Sequence, residues 1–367
     1  FNVLYLKGSE MNQDFIHLHC HSSFSLKDGV GSPEKRVEWS VKNNKNACAL
    51  SDHGNISSWM ALYSTCEKFK IKPILGCEFY FNRYASDLEK SLLEDTHENI
   101  QIRKKLKYFN SHITMFAKNE TGYYNMIKIH NDAWLNRFYR FPITSPETIE
   151  KNYEGIICLS GCSGSEANKI ISKKQYLLSE KRKLDILEEI KNKTFIIEQL
   201  YKDKNIDKAV KNDDFDDSDL EYFNSHTMFS SQEYQQFAKD LIENSDLEFI
   251  NSADEKVEKI IDYWHNLFRE DFYIEIMVID HIPQIYINQE LIKIAQRKNI
   301  PLVITNDAHY IEKSGAKIQE FQMLNDQDKT FKELEAQESN ETDENSKRIW
   351  TIKSEQLYYK SVEELKD

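Results

Sequence analysis

Three histidines alternate in the segment His17-Leu-His19-Cys-His21, which its apolar pattern predicts to be part of a strand. Side chains on a strand repeat every second residue, so these imidazoles would share one face and could converge on a cation. The segment leads to Asp28 in the turn-like sequence KDG, and a strand that ends in such a turn is typical of the active face of an α/β barrel. The alternative is a strand whose histidines are satisfied within the core.

Residue types that bind metals recur at five further predicted strands. They are Asp52 and His53 after ACALS, Glu78 within PILGCEFYF, His112 in HITMFA, Cys162 after GIICLS, and Asp307 with His309 after PLVITN. A carboxylate buried in an apolar run needs a cation as partner, and a metal ion meets that need. Each residue alone has an ordinary structural explanation, but the recurrence favours one shared site. Imidazoles with carboxylates suit zinc, manganese or iron, and a cysteine adds a preference for zinc.

The elements that would position these residues are short apolar strands that alternate with amphipathic helices. We predict strands over residues 15–20, 47–51, 73–81, 112–117, 155–160, 272–277 and 301–306, and helices over 33–44, 57–69, 122–136 and 288–297. Continuous strands rich in β-branched residues indicate a parallel sheet that is covered by helices. About seven strand–helix units favour a closed α/β barrel over an open sheet.

A charged stretch with amphipathic helical patterns interrupts this alternation between residues 166 and 265. Residues 201–270 hold 18 acidic and 8 basic side chains, a net charge of −10. The run DDFDDSD, which contains Asp213, Asp214, Asp216, Asp217 and Asp219, invites a metal-site interpretation. No strand is predicted beneath it, so we interpret it as a solvated acidic loop.

The composition limits the class of protein. A chain of 367 residues that is 40% hydrophobic and 30% charged is typical of a globular protein of one or two domains. No apolar run reaches the roughly 18 residues of a membrane span. Six cysteines are too few for a disulfide scaffold, so we expect a reducing, cytoplasmic compartment. The net charge of −13 alone argues against a nucleic-acid partner, but the acidity is concentrated in 201–270 and 331–346, and bound divalent metals would reverse the field of a cleft.

The motifs together resemble a known family. The segments HLHCHSSFSLKDG, LSDHGN, IKPILGCEFYF, SHITMFAKNETGYYNMIKI, LSGCSGSE and IPLVITNDAHY are similar, in this order, to the PHP (polymerase and histidinol phosphatase) region of bacterial-type DNA polymerase III alpha subunits. The YNMIKI and LYYKSVEEL stretches resemble the polymerase members and not the free-standing phosphatases. The similarity covers about 15–165 and 270–365, and the gap between Cys162 and Asp307 is longer than is usual for the family.

The resemblance implies nine ligands for two or three divalent metals, Zn²⁺, Mn²⁺ or Fe²⁺. One ion would be held by His19, His21, Glu78 and Asp307, a second by Glu78, His112 and Cys162, and a third by Asp28, His53 and His309. His17 and Asp52 are candidates for supporting positions behind the ligands. No catalytic side chain is assigned apart from the ligands, because a metal-bound hydroxide is the expected nucleophile.

The function that the resemblance implies is metal-dependent phosphodiester hydrolysis in DNA replication. The expected activity is a 3′–5′ proofreading exonuclease that acts on a DNA 3′ end, without a polymerase active site in this segment. Expected partners are the polymerase domains of the same full-length protein and other replisome subunits, and no membrane. Two alternatives stay open: a non-catalytic, metal-stabilised structural module of the polymerase, and a free-standing small-molecule phosphatase.

The predicted organisation follows from these segments. We expect a leader or tail over residues 1–13, the first part of the barrel over 14–165, a helical, acidic insertion over 166–265, completion of the barrel over 266–330, and a linker toward an absent polymerase domain over 331–367. The predicted fold is α/β, a distorted TIM-like (β/α)7 barrel of the PHP type with a helical, charged insertion.

Overall fold

The computed structural model describes residues 15–192, 231–279, 282–339, 349, 351–352 and 354–365. The strands are β1 (Ala47–Leu50), β2 (Lys72–Phe81), β3 (Ser111–Ala117), β4 (Phe138–Tyr139), β5 (Phe141–Thr144), β6 (Ile156–Leu159), β7 (Phe272–Met277) and β8 (Leu302–Thr305). The helices are α1 (Pro33–Lys42), α2 (Trp59–Phe69), α3 (Ala85–Ser91), α4 (His97–Leu106), α5 (Glu120–Asn136), α6 (Pro146–Lys151), α7 (Glu166–Asn192), α8 (Ser231–Phe268), α9 (Ile282–Lys298), α10 (Gly315–Asp326) and α11 (Phe331–Glu338).

The strands form one curled sheet that is surrounded by helices, so the predicted α/β class is confirmed. The sheet order is β4-β5-β2-β3-β6-β7-β8, and β1 pairs with β2. The prediction of a parallel sheet is wrong in one respect, because β3 runs antiparallel to both β2 and β6. Three other pairs of neighbouring strands are parallel, namely β1–β2, β6–β7 and β7–β8.

The segment around Cys20, which we call the Cys20 segment, lies between the ends of β1 and β8 and joins these two edges of the curled sheet at one rim. Cys20 forms a parallel bridge with Ala308, which follows β8. On its other side the Cys20 carbonyl oxygen accepts from the Ser51 amide at 2.8 Å, just after β1. The strand predicted over 15–20 is therefore only this bridge within the described chain, because its neighbouring residues lack the ladder of a regular strand.

Local sequence explains where the helices begin. Ser32 caps α1 by accepting from the Lys35 amide, and Pro33 occupies the first turn, where its missing N–H is not needed. Asn119 caps α5 in the same way, and Thr330 with Glu333 forms a capping box at α11. These caps fix the helices that cover the outside of the sheet.

The main core lies between the sheet and its covering helices. It includes Phe79, Met115, Ile129 and Phe272, each at most 2% exposed. Complete burial of such a side chain stabilises the fold by about 1.5–3 kcal/mol. The core therefore fixes the strands, and their ends at the rim are held in place.

The described part of the predicted insertion is helical, and it packs on the barrel. Helices α7 and α8 contact each other, and Ile171, Val257, Ile261 and Trp264 from these helices belong to the main core. Helix α8 runs past the predicted boundary at 265. The aspartates of the DDFDDSD run lie outside the described residues, and so do residues 1–13. The division into domains stays a prediction.

The described part of the predicted linker contacts the barrel. Leu357 and Tyr358 pack with Tyr310, and the Leu357 carbonyl oxygen accepts from the His309 amide at 2.8 Å. The described helices include none that is both long and apolar enough to cross a membrane. The cytoplasmic location stays a prediction.

Candidate metal centre

The structure brings all nine predicted ligands together at the rim that the Cys20 segment completes. They are His19, His21, Asp28, His53, Glu78, His112, Cys162, Asp307 and His309, and each lies within 3.7 Å of at least one other. Residues after parallel strands reach this rim because those strands end there. His112 reaches it from the beginning of β3, because that strand runs in the opposite direction.

Glu78 lies in the middle of the cluster and is 1% exposed. Its Oε1 is 3.0 Å from His112 Nδ1, 3.0 Å from Cys162 Sγ and 3.3 Å from His19 Nε2, and its Oε2 is 2.7 Å from His53 Nδ1. A buried carboxylate with this many neighbours is placed to contact a cation, and its role as a bridge between two ions stays a prediction. Gly164 allows His112 to come this close, since a Cβ at residue 164 would lie 2.9 Å from His112 Nδ1.

Asp307 forms a second point of convergence. Its Oδ1 is 3.1 Å from His21 Nε2 and 3.4 Å from His19 Nε2. Its backbone has a φ of +46°, a left-handed conformation that aspartate tolerates better than most residues. This turn after β8 lets His309 Nδ1 donate to the Asp307 carbonyl oxygen at 2.8 Å, so both side chains face the centre.

Asp28 forms the third group with two histidines. Its Oδ2 is 3.3 Å from His53 Nε2 and 3.7 Å from His309 Nε2. The geometry agrees with the predicted trio of Asp28, His53 and His309. It also brings His21 close, because the His21 ring stacks on those of His53 and His309 at 4.1 and 4.3 Å between centroids. The allocation of ligands to individual ions stays a prediction.

Glu275 determines which nitrogen of His19 faces the centre. Its Oε1 lies 2.7 Å from His19 Nδ1, and a carboxylate can only accept, so Nδ1 carries the proton. Thr305 Oγ1 donates to the same oxygen at 2.6 Å and holds it in place. The Nε2 of His19 is therefore the nitrogen that faces Glu78 and Asp307.

A relay from Asp52 has the same effect on His21. Ser25 Oγ donates to Asp52 Oδ1 at 2.8 Å, and it lies 3.0 Å from His21 Nδ1. The Ser25 hydroxyl has one proton, which makes the hydrogen bond to Asp52. Its oxygen must therefore accept the hydrogen bond from His21 Nδ1. The Nε2 of His21 thus faces the centre and presents a lone pair to it. The carboxylate of Asp52, predicted as a supporting residue, acts on His21 through Ser25.

The donor and acceptor atoms that face each other in the cluster show whether its residues suit a metal ion. The neutral His21 ring has its proton on Nδ1, so Nε2 presents a lone pair to Asp307 Oδ1 at 3.1 Å. The ionised carboxylate has no proton to donate, so an acceptor faces an acceptor. Several of the buried atoms of the proposed ligands make no hydrogen bond among the described residues, namely His19 Nε2, Asp28 Oδ1 and His112 Nε2. Such a set is unfavourable without positive charge. Divalent cations supply that charge, and the donor types suit Zn²⁺, Mn²⁺ or Fe²⁺.

The electrostatics of the cluster also draw positive charge inward. Burial alone would lower the pKa of His19, but the carboxylates of Glu275, Asp307 and Glu78 outweigh it and raise that pKa well above its usual value. Burial would raise the pKa of Glu78, but His112, His53 and His19 hold it well below its usual value. The Glu78 carboxyl group is thus ionised at neutral pH.

His21 and Cys162 have pKa values that differ from those of their neighbours. Burial, with the adjacent His53 and His309, lowers the pKa of His21 to about 4, so this ring is neutral and available as a ligand. Burial and the Glu78 carboxylate raise the pKa of the Cys162 thiol well above its usual value. Binding of a metal by Cys162 therefore releases a proton.

His17 faces away from the cluster, contrary to the expectation that the three alternating histidines share one face. Its Nε2 lies 2.9 Å from the Lys360 carbonyl oxygen, and its ring packs against Phe15, Trp39 and Tyr359. The backbone around His17 is not a regular strand, which is why the alternation fails there. His17 supports the segment that contains Lys360.

Sequence reasoning missed three residues behind the ligands. Glu275 stands alone in the apolar strand FYIEIM, the same signal that identified Glu78, and could have been found by it. Ser25 gives no comparable signal. Arg36 is fully buried on α1, and its Nη2 donates to the carbonyl oxygens of His21, Val30 and His309, so it holds two ligand-bearing segments together.

A cleft of about 1650 Å³ opens from the cluster to the surface. Asp28, His53, His112, Cys162, Asp307 and His309 form part of its wall. Lysine, arginine and aromatic side chains form much of the remainder. A molecule larger than a single nucleotide could therefore approach the proposed ligands.

Comparison with known proteins adds independent information. Residues 17–200 match the family model described as the PHP domain. The DNA polymerase III subunit alpha of Borreliella burgdorferi is 24% identical over 83% of this chain, and that of Chlamydia trachomatis is 26% identical over 96% of it. The Chlamydia muridarum protein of this name is 34% identical over 44% of the chain. These matches cover 19%, 22% and 12% of the relatives, so the chain spans about a fifth of their length or less.

Proposed function

The chain belongs to the PHP domain family, and from this membership we propose that it is a metal-dependent phosphodiesterase that removes nucleotides from a DNA 3′ end. The observation that carries the proposal is the convergence of five histidine rings, a cysteine thiol and three carboxylates in one buried cluster. The similarity to DNA polymerase III alpha subunits over most of the chain supports DNA as substrate and DNA replication as the setting.

The proposed ligands are the nine residues of the cluster, with Glu78 as the bridge. When bound, divalent metals in such a site stabilise negative charge on phosphoryl oxygens and lower the pKa of a water molecule. Glu275 and the Asp52–Ser25 pair hold the His19 and His21 rings so that Nε2 points inward. Arg36 fixes the backbone of His21 and His309.

The cleft supports the choice of a polynucleotide over a small phosphomonoester. A volume of about 1650 Å³ exceeds what one nucleotide needs, and the lining contains exposed aromatic rings and lysines. The remaining part of a full-length protein of this kind would supply the polymerase site. Polymerase domains and other replisome subunits are therefore the proposed partners.

The test is hydrolysis of a 5′-fluorescein-labelled single-stranded 20-mer by the purified chain with Mn²⁺ or Zn²⁺. We expect a ladder of products shortened from the 3′ end, suppressed by EDTA and lost in Asp307→Asn. The matched control is Asp87→Asn, an exposed aspartate on α3 that pairs only with Lys90 among the described residues, and it should keep the ladder. A ladder that persists in Asp307→Asn would indicate a contaminating nuclease, and turnover of a phosphomonoester without action on DNA would favour a small-molecule phosphatase.

One observation also favours a non-catalytic, metal-stabilised module. His19 and Asp307 lie at opposite ends of the chain, so a shared ion would tie the Cys20 segment to the residues after β8. A metal-loaded chain that hydrolyses neither DNA nor bis(4-nitrophenyl) phosphate, and that loses stability on chelation, would support this second function.

A further inference from the structure

The predicted insertion contributes a basic wall to the cleft. From the described parts of α7 and α8, the lining contains four lysines and one acidic residue, Glu166. One of the four, Lys169, donates to the Asn110 carbonyl oxygen at 2.6 Å. We name the other three, Lys173, Lys256 and Lys259, the lysine wall. Glu166 is already paired, since Arg83 Nε lies 2.5 Å from its Oε1. The whole chain has a net charge of −13, so this local excess of positive charge is not a sample of its average surface.

Charges are sorted around α8. Its acidic residues Asp254, Glu258 and Asp262 pair with basic residues of neighbouring helices, as shown by contacts of 2.7, 2.6 and 2.7 Å to Lys174, Arg297 and Lys298 respectively. The lysines at 256 and 259 line the cleft instead. Three acidic residues of the helix therefore face its helical neighbours, two lysines face the cleft, and Glu255 pairs with one of these lysines.

Two members of the lysine wall meet at one aromatic ring. Lys173 Nζ lies 4.2 Å and Lys256 Nζ 5.2 Å from the centroid of Phe249. The two ammonium groups are thus held at one point of the cleft wall, where their charges add in attracting an anion. Lys259 pairs only weakly at the surface with Glu255, its neighbour one turn away, and such an exposed pair exchanges readily for another anion.

The same cleft contains aromatic rings that are open to solvent. Tyr84 and Phe109 contact each other at 4.9 Å, and so do Trp134 and Phe138 at 5.2 Å. Each is at least 40% exposed although it lines the cleft. Exposed rings beside a groove of lysines are the arrangement that binds single-stranded nucleic acid, because bases stack on the rings while cations contact the phosphates.

We propose that the lysine wall binds the phosphates of a single, unpaired polynucleotide strand, and that the exposed rings of the cleft stack on its bases. This rests on the proposed function, because it names the form of the substrate that reaches the metal centre. It also gives the insertion helices a role in substrate binding, in addition to their packing on the barrel.

The experiment measures binding of 5′-fluorescein-labelled dT20, closed at its 3′ end by an inverted nucleotide so that it is not shortened, by fluorescence anisotropy at several salt concentrations with Mn²⁺ present. In Lys173→Gln with Lys256→Gln we expect weaker binding and a slope of log affinity against log salt that is shallower by about 0.7 for each lysine. The matched control is Lys35→Gln with Lys42→Gln on the exposed side of α1, which should bind as the unmodified chain does.

Two further comparisons test the single-strand part. Phe138→Ala should weaken dT20 binding at least about fivefold by loss of base stacking, with the salt slope unchanged, whereas Phe321→Ala, an exposed ring outside the cleft lining, should have no effect. Unlabelled dT20 should compete better than a 20-base-pair duplex. Equal competition by the duplex would overturn this part, and a double lysine variant that matches its control would overturn the lysine wall.

The unmodified chain is also assayed with bis(4-nitrophenyl) phosphate, which needs the metal centre but not the cleft. Lysine-dependent dT20 binding without hydrolysis of this substrate would contradict the proposed function and leave the inference standing. Hydrolysis of this substrate without lysine-dependent binding would do the reverse.

Discussion

At the scale of single residues, the pairing of a ligand histidine with a carboxylate determines how the ligand is presented. Glu275 accepts from His19 Nδ1 at 2.7 Å and from Thr305 Oγ1 at 2.6 Å, and all of these atoms are buried. A carboxylate in this position fixes the tautomer of the histidine and raises its basicity toward a metal. Glu275 is therefore a positioning residue for His19.

We predict that Glu275→Ala weakens divalent metal binding by about 10–100-fold, because His19 loses the acceptor that orients its ring. Glu275→Gln should recover part of the affinity, since the amide oxygen can still accept from Nδ1. Isothermal titration with Mn²⁺ or Zn²⁺ measures both. Glu290→Ala, at an exposed α9 position paired with Lys293, is the control. Unchanged affinity in Glu275→Ala would refute the positioning role.

The sequence contains a signal for some of these residues and not for others. Glu78 and Glu275 are both single charges within apolar strands. The sequence therefore indicates two buried carboxylates whose partners must come from other parts of the fold. Ser25 cannot be found in this way, because a serine in a polar turn is ordinary and its contact with Asp52 depends on the path of the chain. The nine residues that converge were predictable from their types, whereas the groups that orient their side chains mostly were not.

At the scale of elements, the direction of β3 could not be predicted. A run of buried residues such as HITMFA has the same pattern whichever way the strand runs, and α3 and α4 give the chain enough length to return in either direction. The reversal explains why His112 lies at the beginning of its strand while Cys162 and Asp307 follow theirs. One hint of the reversal was present in the sequence, which is that His112 stands at the beginning of HITMFA and not after it.

Helix α1 is coupled to the rim by Arg36. We predict that Arg36→Met lowers the free energy of unfolding by about 2 kcal/mol or more, because carbonyl oxygens of His21, Val30 and His309 lose a buried donor. Urea denaturation measures this. Lys35→Met, on the exposed side of the same helix, should change stability by less than about 0.5 kcal/mol. Equal stability of the two variants would contradict the coupling.

The segment containing Lys360 is held by His17, and this contact should depend on pH. Burial lowers the pKa of His17 to about 4, below the value of about 6.5 in an unfolded chain. The unfolded state thus binds more protons, so the stability from a neutral His17 is present above pH 6.5 and is lost as the pH falls toward 4.

Between pH 7.5 and pH 5 we predict that the unmodified chain loses about 2 kcal/mol more stability than His17→Gln, whose amide can still donate to the Lys360 carbonyl oxygen. Urea denaturation at the two pH values gives the difference, and the comparison cancels the titration of groups that both proteins share. His97→Gln, on the surface of α4, should lose as much as the unmodified chain. The same loss in His17→Gln would refute the assignment.

At the scale of the whole molecule, the alternation of strands and helices was sufficient to predict a barrel-like α/β fold and the convergence of distant motifs. The role of the insertion was not accessible in this way. Its net acidity conceals the fact that Asp254, Glu258 and Asp262 pair with neighbouring helices while Lys256 and Lys259 line the cleft. Composition reports the sum of the charges, and only the packing of α7 and α8 on the barrel separates them.

The ligands come from both ends of the described chain, so metal binding should stabilise the whole fold. His19 precedes β1 and Asp307 follows β8, yet His19 Nε2 and Asp307 Oδ1 are 3.4 Å apart. An ion held between them binds the folded chain and not the separated segments. At a free metal concentration 100 times the dissociation constant, the free energy of unfolding should rise by about 2.7 kcal/mol.

We therefore expect the midpoint of thermal unfolding to rise with added Mn²⁺ or Zn²⁺ and to fall on chelation. Glu78→Gln should abolish this response, because it removes the carboxylate that lies within 3.5 Å of four of the proposed ligand histidines, whereas Asp87→Asn should retain it. Differential scanning fluorimetry across a metal titration measures both. A midpoint that does not respond to metal in the unmodified chain would contradict a metal centre that joins the two ends of the barrel, because an ion bound there cannot leave the unfolding equilibrium unchanged.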